Sequence, residues 1–233
     1  MNEDEVVKKC ILSWMLVLLL AVTVGCSPQT EMTDPSLHPP GFGTYYKQLG
    51  WHRDSILEDL GFTEAELIET EMYTYSTTQN VEFQNLSFRV LLCTGGAFNR
   101  FAGFSYMTFL EGDSKTQAVQ ILNLAQTLSG RFGSPTDGAS AYPKYFVEMT
   151  AEELEAWLTD GKQESSSDRW YLGQIQTEEA MAYTAFLEGY HFAADTRVPI
   201  AEYPRLALIL RIYKDGNGFA QVELCYMMDC FDG

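Results

Sequence analysis

The chain has 233 residues, 46% of them hydrophobic, which is enough for one large domain or two small ones with a buried core. Its 32 acidic residues outnumber its 15 basic residues. The resulting net charge of −17 argues against binding to nucleic acid and against lying flat on an anionic membrane.

The N-terminus has the parts of an export signal. Lys8 and Lys9 directly precede an uncharged, apolar run at residues 11–25. This run is shorter than the roughly 20 residues that a helix needs to span a membrane. Residues 1–25 are therefore predicted to be a lipoprotein signal peptide. An ordinary signal peptide cut near this position and an uncleaved signal anchor are the alternatives.

Thr23-Val24-Gly25-Cys26 resembles the lipobox of bacterial lipoproteins. In that family the cysteine thiol receives a diacylglycerol, and cleavage leaves the acylated cysteine as the new N-terminus. Gly25 and Cys26 match the motif, whereas Thr23 departs from the usual leucine. The resemblance implies an extracytoplasmic protein that is anchored to a bacterial membrane through lipidated Cys26, and it leaves open which membrane that is.

Residues 26–43 are predicted to be a tether, because they are rich in proline and show no apolar periodicity. His38 lies in this segment and is expected to be solvated. A globular domain is predicted at residues 44–233, with residues 44–135 and 145–233 as candidate halves.

In the first half, apolar periodicity and stop signals predict three helices and two strands. Glycines 61 and 130 are expected to end the first and the third helix. The third helix has one apolar stripe, formed by Val119, Leu122, Ala125 and Leu128. In chain order, the elements are helices at 53–60 and 63–70, strands at 81–93 and 101–110, and a helix at 115–129.

The second half begins with Thr150 and Glu153, which form a capping box for a helix. Its last two strands are joined by a turn at residues 214–218, where Asp-Gly and Asn-Gly supply positive φ angles. The pattern at 177–187 fits a helix or a strand, and its alanines and glutamates favour the helix. The elements are a helix at 151–158, a polar loop at 161–168, a strand at 170–172, the segment 177–187, and strands at 205–213 and 218–227.

These elements predict an α+β fold, an antiparallel sheet with helices packed on one face. Residues 83–92 and 203–212 have the same spacing of large apolar residues. This similarity fits two related helix-hairpin units that arose by duplication, and it equally fits two ordinary hairpins. The face packed against helices is predicted to hold Leu86, Phe88, Val90, Leu92, Phe104, Tyr106, Leu206, Leu208, Leu210, Ile212, Val222, Leu224 and Tyr226.

The opposite face is predicted to be open and to bind a partner. Arg89 and Arg211 are out of phase with the apolar residues of their strands, and two arginines on one face suit a carboxylate or another acidic group. Alternatively, each arginine pairs with a neighbouring acid and keeps the face soluble. The candidate binding residues are Arg89, Met107, Arg211, Tyr213 and Glu223.

Residues 49–61 resemble a helix motif shared by the β-lactamase inhibitory protein and by the outer-membrane assembly lipoproteins of the SmpA/OmlA type. Gly50, Ile56, Leu60 and Gly61 match that motif, and Trp51 replaces its methionine. Both families bind proteins, so the resemblance implies binding without catalysis. The chain also resembles lipoproteins of anaerobic gut bacteria, which implies a location at the cell envelope but no activity.

No catalytic, phosphate-binding or dinucleotide-binding motif occurs in the sequence, so no catalytic residue, metal or cofactor is predicted. Cys93, Cys225 and Cys230 are an odd set beyond the anchor, and a Cys225–Cys230 bridge stays open. The leading hypothesis is a membrane-tethered binding module for a protein partner. A hydrolase of envelope polymers and a structural envelope lipoprotein are the alternatives.

Overall fold

The computed structural model describes residues 33–61, 67–68, 75–94, 100–136, 144–193 and 200–231. It confirms the α+β fold, with seven antiparallel strands and five helices, about 36% helix and 40% strand. The strands are β1 (Leu67–Ile68), β2 (Tyr75–Phe83), β3 (Leu86–Thr94), β4 (Phe101–Phe109), β5 (Glu164–Gln174), β6 (Ile200–Lys214) and β7 (Ala220–Phe231). The helices are α1 (Phe42–Lys47), α2 (Arg53–Asp59), α3 (Ser114–Phe132), α4 (Ala151–Leu158) and α5 (Glu178–Ala193).

The strand order in the sheet is β1-β2-β3-β4-β7-β6-β5. Two meanders, β2–β4 and β5–β7, therefore meet where β4 pairs with β7. The two segments of similar spacing, 83–92 and 203–212, contribute to β3 and β6, the middle strands of their meanders. That placement fits both a duplication and two independent hairpins, so the repeat stays a prediction.

The sheet has a packed face, which is covered by helices, and an open face. All thirteen residues predicted for the packed face are buried. The helices contribute buried residues such as Ile56 of α2, Ile121 of α3 and Leu154 of α4. Burial of this apolar surface is the main stabilising contribution to the fold, at roughly 25 cal/mol per Å² of apolar area.

The strand predicted at residues 81–93 is wrong, because a hairpin turn divides it. Gln84 and Asn85 have φ angles of 53° and 60°, and Phe83 pairs with Leu86 across this two-residue turn. Positive φ at both central positions is typical of the type I′ turns that close tight hairpins. The segment therefore supplies the end of β2 and most of β3.

Two further predictions of local structure are wrong. Leu67 and Ile68, within the helix expected at 63–70, form β1 and pair with β2; the rest of that segment lies outside the described residues. The expected polar loop at 161–168 contributes to β5, which begins at Glu164. Its Asp168 is buried and accepts a hydrogen bond from the backbone N–H of Phe146 at 2.9 Å, so a polar residue occupies a packed-face position.

The helix expected at 115–129 continues to Phe132 and ends at Gly133, not at Gly130. Gly130 has open space around it and is tolerated within the helix. The predicted stripe is also shifted, because Val119 is 41% exposed. The buried stripe consists of Gln117, Ala118, Ile121, Leu124, Ala125, Leu128 and Phe132.

Other predicted elements are confirmed. The helix α2 has the expected start, and α4 has the predicted bounds with its capping box of Thr150 and Glu153. The segment 177–187 is helical within α5. The hairpin of β6 and β7 turns at residues 215–219, where the Asp215 carboxylate accepts hydrogen bonds from the N–H groups of Asn217 and Phe219.

The prediction that His38 is solvated is wrong. His38 is buried, its ring stacks on Phe42 with centroids 3.7 Å apart, and its Nδ1 lies 3.0 Å from the Tyr226 hydroxyl. The Tyr106 hydroxyl also donates to the carbonyl oxygen of Pro40. The packed region therefore begins ahead of residue 44, and of the predicted tether only residues 26–32 lie outside the described part.

The three cysteines described are free. Cys225 and Cys230 are five residues apart on β7, and successive side chains of a strand alternate between its faces. Cys225 therefore lies on the open face and Cys230 on the packed face, so the bridge that the sequence left open does not form.

Candidate functional site

Four of the five predicted binding residues form one row across the open face. Arg89 on β3 is opposite Met107 on β4, Met107 is opposite Glu223 on β7, and Glu223 is opposite Arg211 on β6. Tyr213 lies two residues beyond Arg211 on the same face. Directly opposite residues of neighbouring strands have Cβ atoms about 4.5–5.5 Å apart, so their side chains interact.

Arg211 forms polar contacts with both Glu223 and Tyr213. The Arg211 Nη1 lies 3.3 Å from the Glu223 Oε2 and donates to the Tyr213 hydroxyl at 3.2 Å. Glu223 is only 1% exposed, and this burial raises its pKa to about 7 even with the guanidinium beside it. Arg211 is therefore already paired with an acid. The alternative interpretation of the sequence predicted such pairing for both Arg89 and Arg211.

Arg89 differs from Arg211. It is exposed, and no hydrogen bond or ion pair joins its side chain to any other part of the chain that the structure describes. Its guanidinium lines a groove of about 480 Å³ beside the β2–β3 turn. The groove is formed by Asn80, Glu82, Asn85, Leu86, Ser87, Arg89, Met107, Thr108, Phe109, Glu111 and Gln120.

The strand register explains why these residues meet. Asn80 of β2 is opposite Arg89 of β3, and Glu82 is opposite Ser87, so all four project from the open face together. The Asn80 Nδ2 donates to the Ser87 Oγ at 3.4 Å. The groove thus combines amides, hydroxyls, one guanidinium and carboxylates of the opposite charge.

An exposed pair of aromatic rings adjoins the groove through Phe109, which lines it. Phe109, at the end of β4, is 52% exposed, and Phe219, in the β6–β7 turn, is 47% exposed. Their ring centroids are 5.4 Å apart at an interplanar angle of 33°, so each ring restricts the other. Exposed phenylalanine rings at the rim of a groove are typical of ligand contact, because water solvates them poorly.

Sequence reasoning missed several of these groove residues. Asn80 and Glu82 went unnoticed because the turn at 84–85 was not recognised, so their strand was not placed beside Arg89. Phe109 is in phase with Met107 along β4, and this period of two was a usable signal for its position on the open face.

Among the described residues, the two carboxylates whose pKa values are raised, Asp168 and Glu223, do not share a site. Asp168 projects to the packed face and Glu223 to the open face, so these two cannot act as the acid and base of a glycosidase. Within the described ranges, no three His, Cys, Asp or Glu residues are placed to hold a metal ion.

We expect replacement of Asp168 by asparagine to stabilise the protein increasingly as pH rises. Burial raises the pKa of Asp168 to about 7, against the hydrogen bond from Phe146 and with a contribution from Glu148. Between about pH 4 and pH 7 the unfolded chain loses this proton while the folded chain keeps it, so rising pH disfavours folding. The amide lacks that titration, and its oxygen still accepts from Phe146.

Urea titrations of wild type and Asp168→Asn near pH 5 and near pH 8 test this. The free energy of unfolding of the variant, relative to that of wild type, should increase from the lower to the higher pH. The increase should be roughly 1.4 kcal/mol for each unit of the pKa shift that lies between the two pH values. Glu152→Gln, at an exposed acid of α4, is the control and should show no such growth. A difference that is the same at both pH values would contradict the assignment.

No family model, no curated protein and no solved structure matches the chain. The likeness of residues 49–61 to the two protein-binding families therefore stays an expectation from the sequence.

Proposed function

We propose that the chain is a membrane-tethered, extracytoplasmic binding lipoprotein whose site is the groove around Arg89. The observation that carries this proposal is the unpaired, exposed guanidinium of Arg89 in a groove that also has an exposed aromatic rim. Concave sites that combine apolar surface with a few polar groups are where proteins bind ligands.

A comparison of Arg89 with two other arginines on the open face supports this assignment. Arg211 pairs with Glu223, and Arg205 pairs with Asp229 at 3.2 Å while its guanidinium lies over the Tyr171 ring. The guanidinium groups of Arg211 and Arg205 therefore already interact with other residues of the chain. Of these three arginines, only Arg89 lies in a groove. A bound partner would supply the ion pair or hydrogen bonds that the rest of the fold supplies to the other two.

The hydrolase and the purely structural alternatives receive less support. A hydrolase needs a carboxyl group of raised pKa at its site, and neither of the two described acids with a raised pKa, Asp168 and Glu223, lines the groove. A purely structural role does not by itself explain an exposed guanidinium and an exposed phenylalanine in one groove. The site is therefore best explained by binding without catalysis.

The membrane part of the proposal rests on the sequence. Cys26 and the signal-like run at 11–25 precede the described residues, and no helix in the described part is long and apolar enough to span a membrane. Anchoring would then come from the lipid on Cys26. A single acyl chain gives only reversible binding, and the two chains of a diacylglycerol hold much more firmly.

Photo-crosslinking in the native bacterium tests the proposal. A photoreactive residue is placed at Met107, in the groove, or at Met181, which is 41% exposed on α5 and does not line the groove. We expect an adduct from position 107 that is absent from position 181. Arg89→Ala should weaken the adduct and Lys115→Ala, at an exposed lysine of α3, should not. Cys26→Ser should move the chain out of the membrane fraction.

Equal adducts from positions 107 and 181, or none from 107, would remove the groove as the site. An adduct unaffected by Arg89→Ala would show that the guanidinium has no part in binding. If the Cys26→Ser chain still fractionates with membranes like wild type, the lipid anchor is wrong.

A further inference from the structure

We propose that the groove binds a neutral, polyhydroxylated ligand, namely the sugar residues of an uncharged oligosaccharide or polysaccharide. This inference rests on the proposed binding function and names the ligand class of the same site. The sequence had suggested a carboxylate or another acidic group for this face. Pairing of Arg211 with Glu223 removes one of the two cations on which that expectation depended.

The charges of the groove favour a neutral ligand. Arg89 is its only cation among the described residues, while Glu82 and Glu111 supply two carboxylates. An anionic ligand bound to Arg89 would also meet these two acids, in a chain that already carries a net charge of −17. A cationic ligand would be attracted by the two carboxylates, but it would be repelled by Arg89 and would leave that guanidinium without a partner. Hydroxyl groups avoid both conflicts, because each can donate to a carboxylate and accept from a guanidinium.

The uncharged polar groups point the same way. Asn80, Asn85 and Gln120 provide amides, and Ser87 and Thr108 provide hydroxyls, so the groove offers both donors and acceptors. An apolar ligand would remove these groups from water without replacing their hydrogen bonds, which costs about 1–3 kcal/mol for each group. A ligand with many hydroxyls replaces those bonds.

The aromatic rim supplies the remaining contact. One face of a sugar ring consists of apolar C–H groups. Their hydrogens carry a partial positive charge, which suits the negative face of an aromatic ring. Phe109 offers such a face, since half of its surface is exposed and Phe219 supports it from the side. Met107 adds a flexible apolar side chain next to it on the groove floor.

The groove opens where two neighbouring strands diverge. The pairing of β3 with β4 ends at Arg89–Met107, so residues 86–88 and 108–109 beyond it do not pair with each other. Gln120 of α3 lines the groove together with these strand ends. The side chains that a ligand would meet therefore come both from the sheet and from α3.

Titration calorimetry with chemically defined hexasaccharides tests the inference. The probes are hexamers of β-1,4-glucose, β-1,4-xylose, β-1,4-mannose and β-1,4-N-acetylglucosamine, all neutral. Galacturonic acid and glucosamine hexamers are the anionic and cationic probes. The full chain is purified in a detergent that has no sugar headgroup. We expect at least one neutral hexamer to bind in preference to both charged ones.

Variants place that binding in the groove. Phe109→Ala and, independently, Asn80→Ala should weaken affinity about tenfold or more, as expected for residues central to a site. Phe186→Ala is the matched control, because Phe186 is 46% exposed on α5 at the packed side. It should change affinity less than about twofold. Circular dichroism of each variant verifies that the fold is intact.

Binding of no neutral hexamer at about millimolar concentration would overturn the inference. Arg89-dependent binding of the galacturonic acid hexamer alone would also overturn it, while the proposed binding function would stand. Neutral binding that is unchanged in both Phe109→Ala and Asn80→Ala would place the sugar elsewhere and overturn this site. If no hexamer binds and the adduct from position 107 is also absent, the proposed function fails as well.

Discussion

Gly50→Ala is expected to destabilise the fold by about 3–5 kcal/mol, since left-handed strain and backbone overpacking add. Gly50 has a φ angle of +88°, and a Cβ atom there would lie 2.5 Å from the backbone carbonyl of Glu179. That carbonyl is at the start of α5, whose Ala180, Tyr183 and Leu187 are buried. The contact therefore cannot relax by rotation of a side chain, and α5 would have to move off the core.

The neighbours of Gly50 also prevent it from shifting. Its N–H donates to the carbonyl of Phe101 at 2.8 Å, and its own carbonyl accepts from the Arg100 side chain at 2.7 Å. These bonds tie the residue to the start of β4 while α5 lies against it. Strain introduced at Gly50 is consequently shared by β4 and α5.

Gly61→Ala is the matched control for this prediction. Gly61 also has a positive φ angle, +66°, but nothing lies within 4 Å of a Cβ atom built there. Alanine at position 61 should cost only the left-handed backbone conformation, about 1–2 kcal/mol. Urea titration of both variants measures the difference, and equal losses would show that α5 does not lie against Gly50 as described.

The sequence assigned Gly61 to the end of a helix but identified Gly50 only as a match to a helix motif, so it gave no structural role to Gly50. A motif is defined only by residue types at fixed spacing, so it contains no information about contacts with distant parts of the chain. The close approach of α5 to Gly50 depends on how an element more than a hundred residues later packs. Contacts of this kind lie outside the reach of local patterns, whereas the bounds of α4 followed directly from its capping box.

The missed turn at 84–85 left a detectable signal in the sequence. Val81 and Phe83 are apolar at odd positions, whereas Leu86, Phe88 and Val90 are apolar at even positions. Such a change of phase within one apolar run is what a two-residue hairpin produces, because residues 83 and 86 pair on the same face. Asn85 supports this interpretation, since asparagine tolerates positive φ.

The candidate site was predictable in part. Periodicity placed Arg89, Met107, Arg211 and Glu223 on one face, and the strand order then made them neighbours. Which arginine is already paired could not be predicted. That outcome depends on β7 lying between β4 and β6, so that Glu223 faces Arg211, and strand order is set by the packing of the whole chain.

Phe88→Ala is expected to cost about 3–5 kcal/mol, the loss typical of truncating a fully buried phenylalanine. Phe88 is in the middle of β3 with no exposed surface, opposite Val81, and belongs to the core that the helices cover. Ser87→Ala is the control at the adjacent, exposed position and should cost under about 0.5 kcal/mol. Similar losses in a urea titration would mean that the register of β3 is wrong.

The same variant tests whether the two meanders unfold together. β4 and β7 pair through seven consecutive residue pairs, from Gly103–Met227 to Phe109–Gln221, so the sheet is continuous across the chain. Phe88→Ala should therefore accelerate amide hydrogen exchange of the slowest amides in β6 as much as in β3, because both are protected by one cooperative unit. If the amides of β6, around Leu208, keep their wild-type protection while those of β3 lose theirs, the halves 44–135 and 145–233 are separate folding units despite their shared sheet.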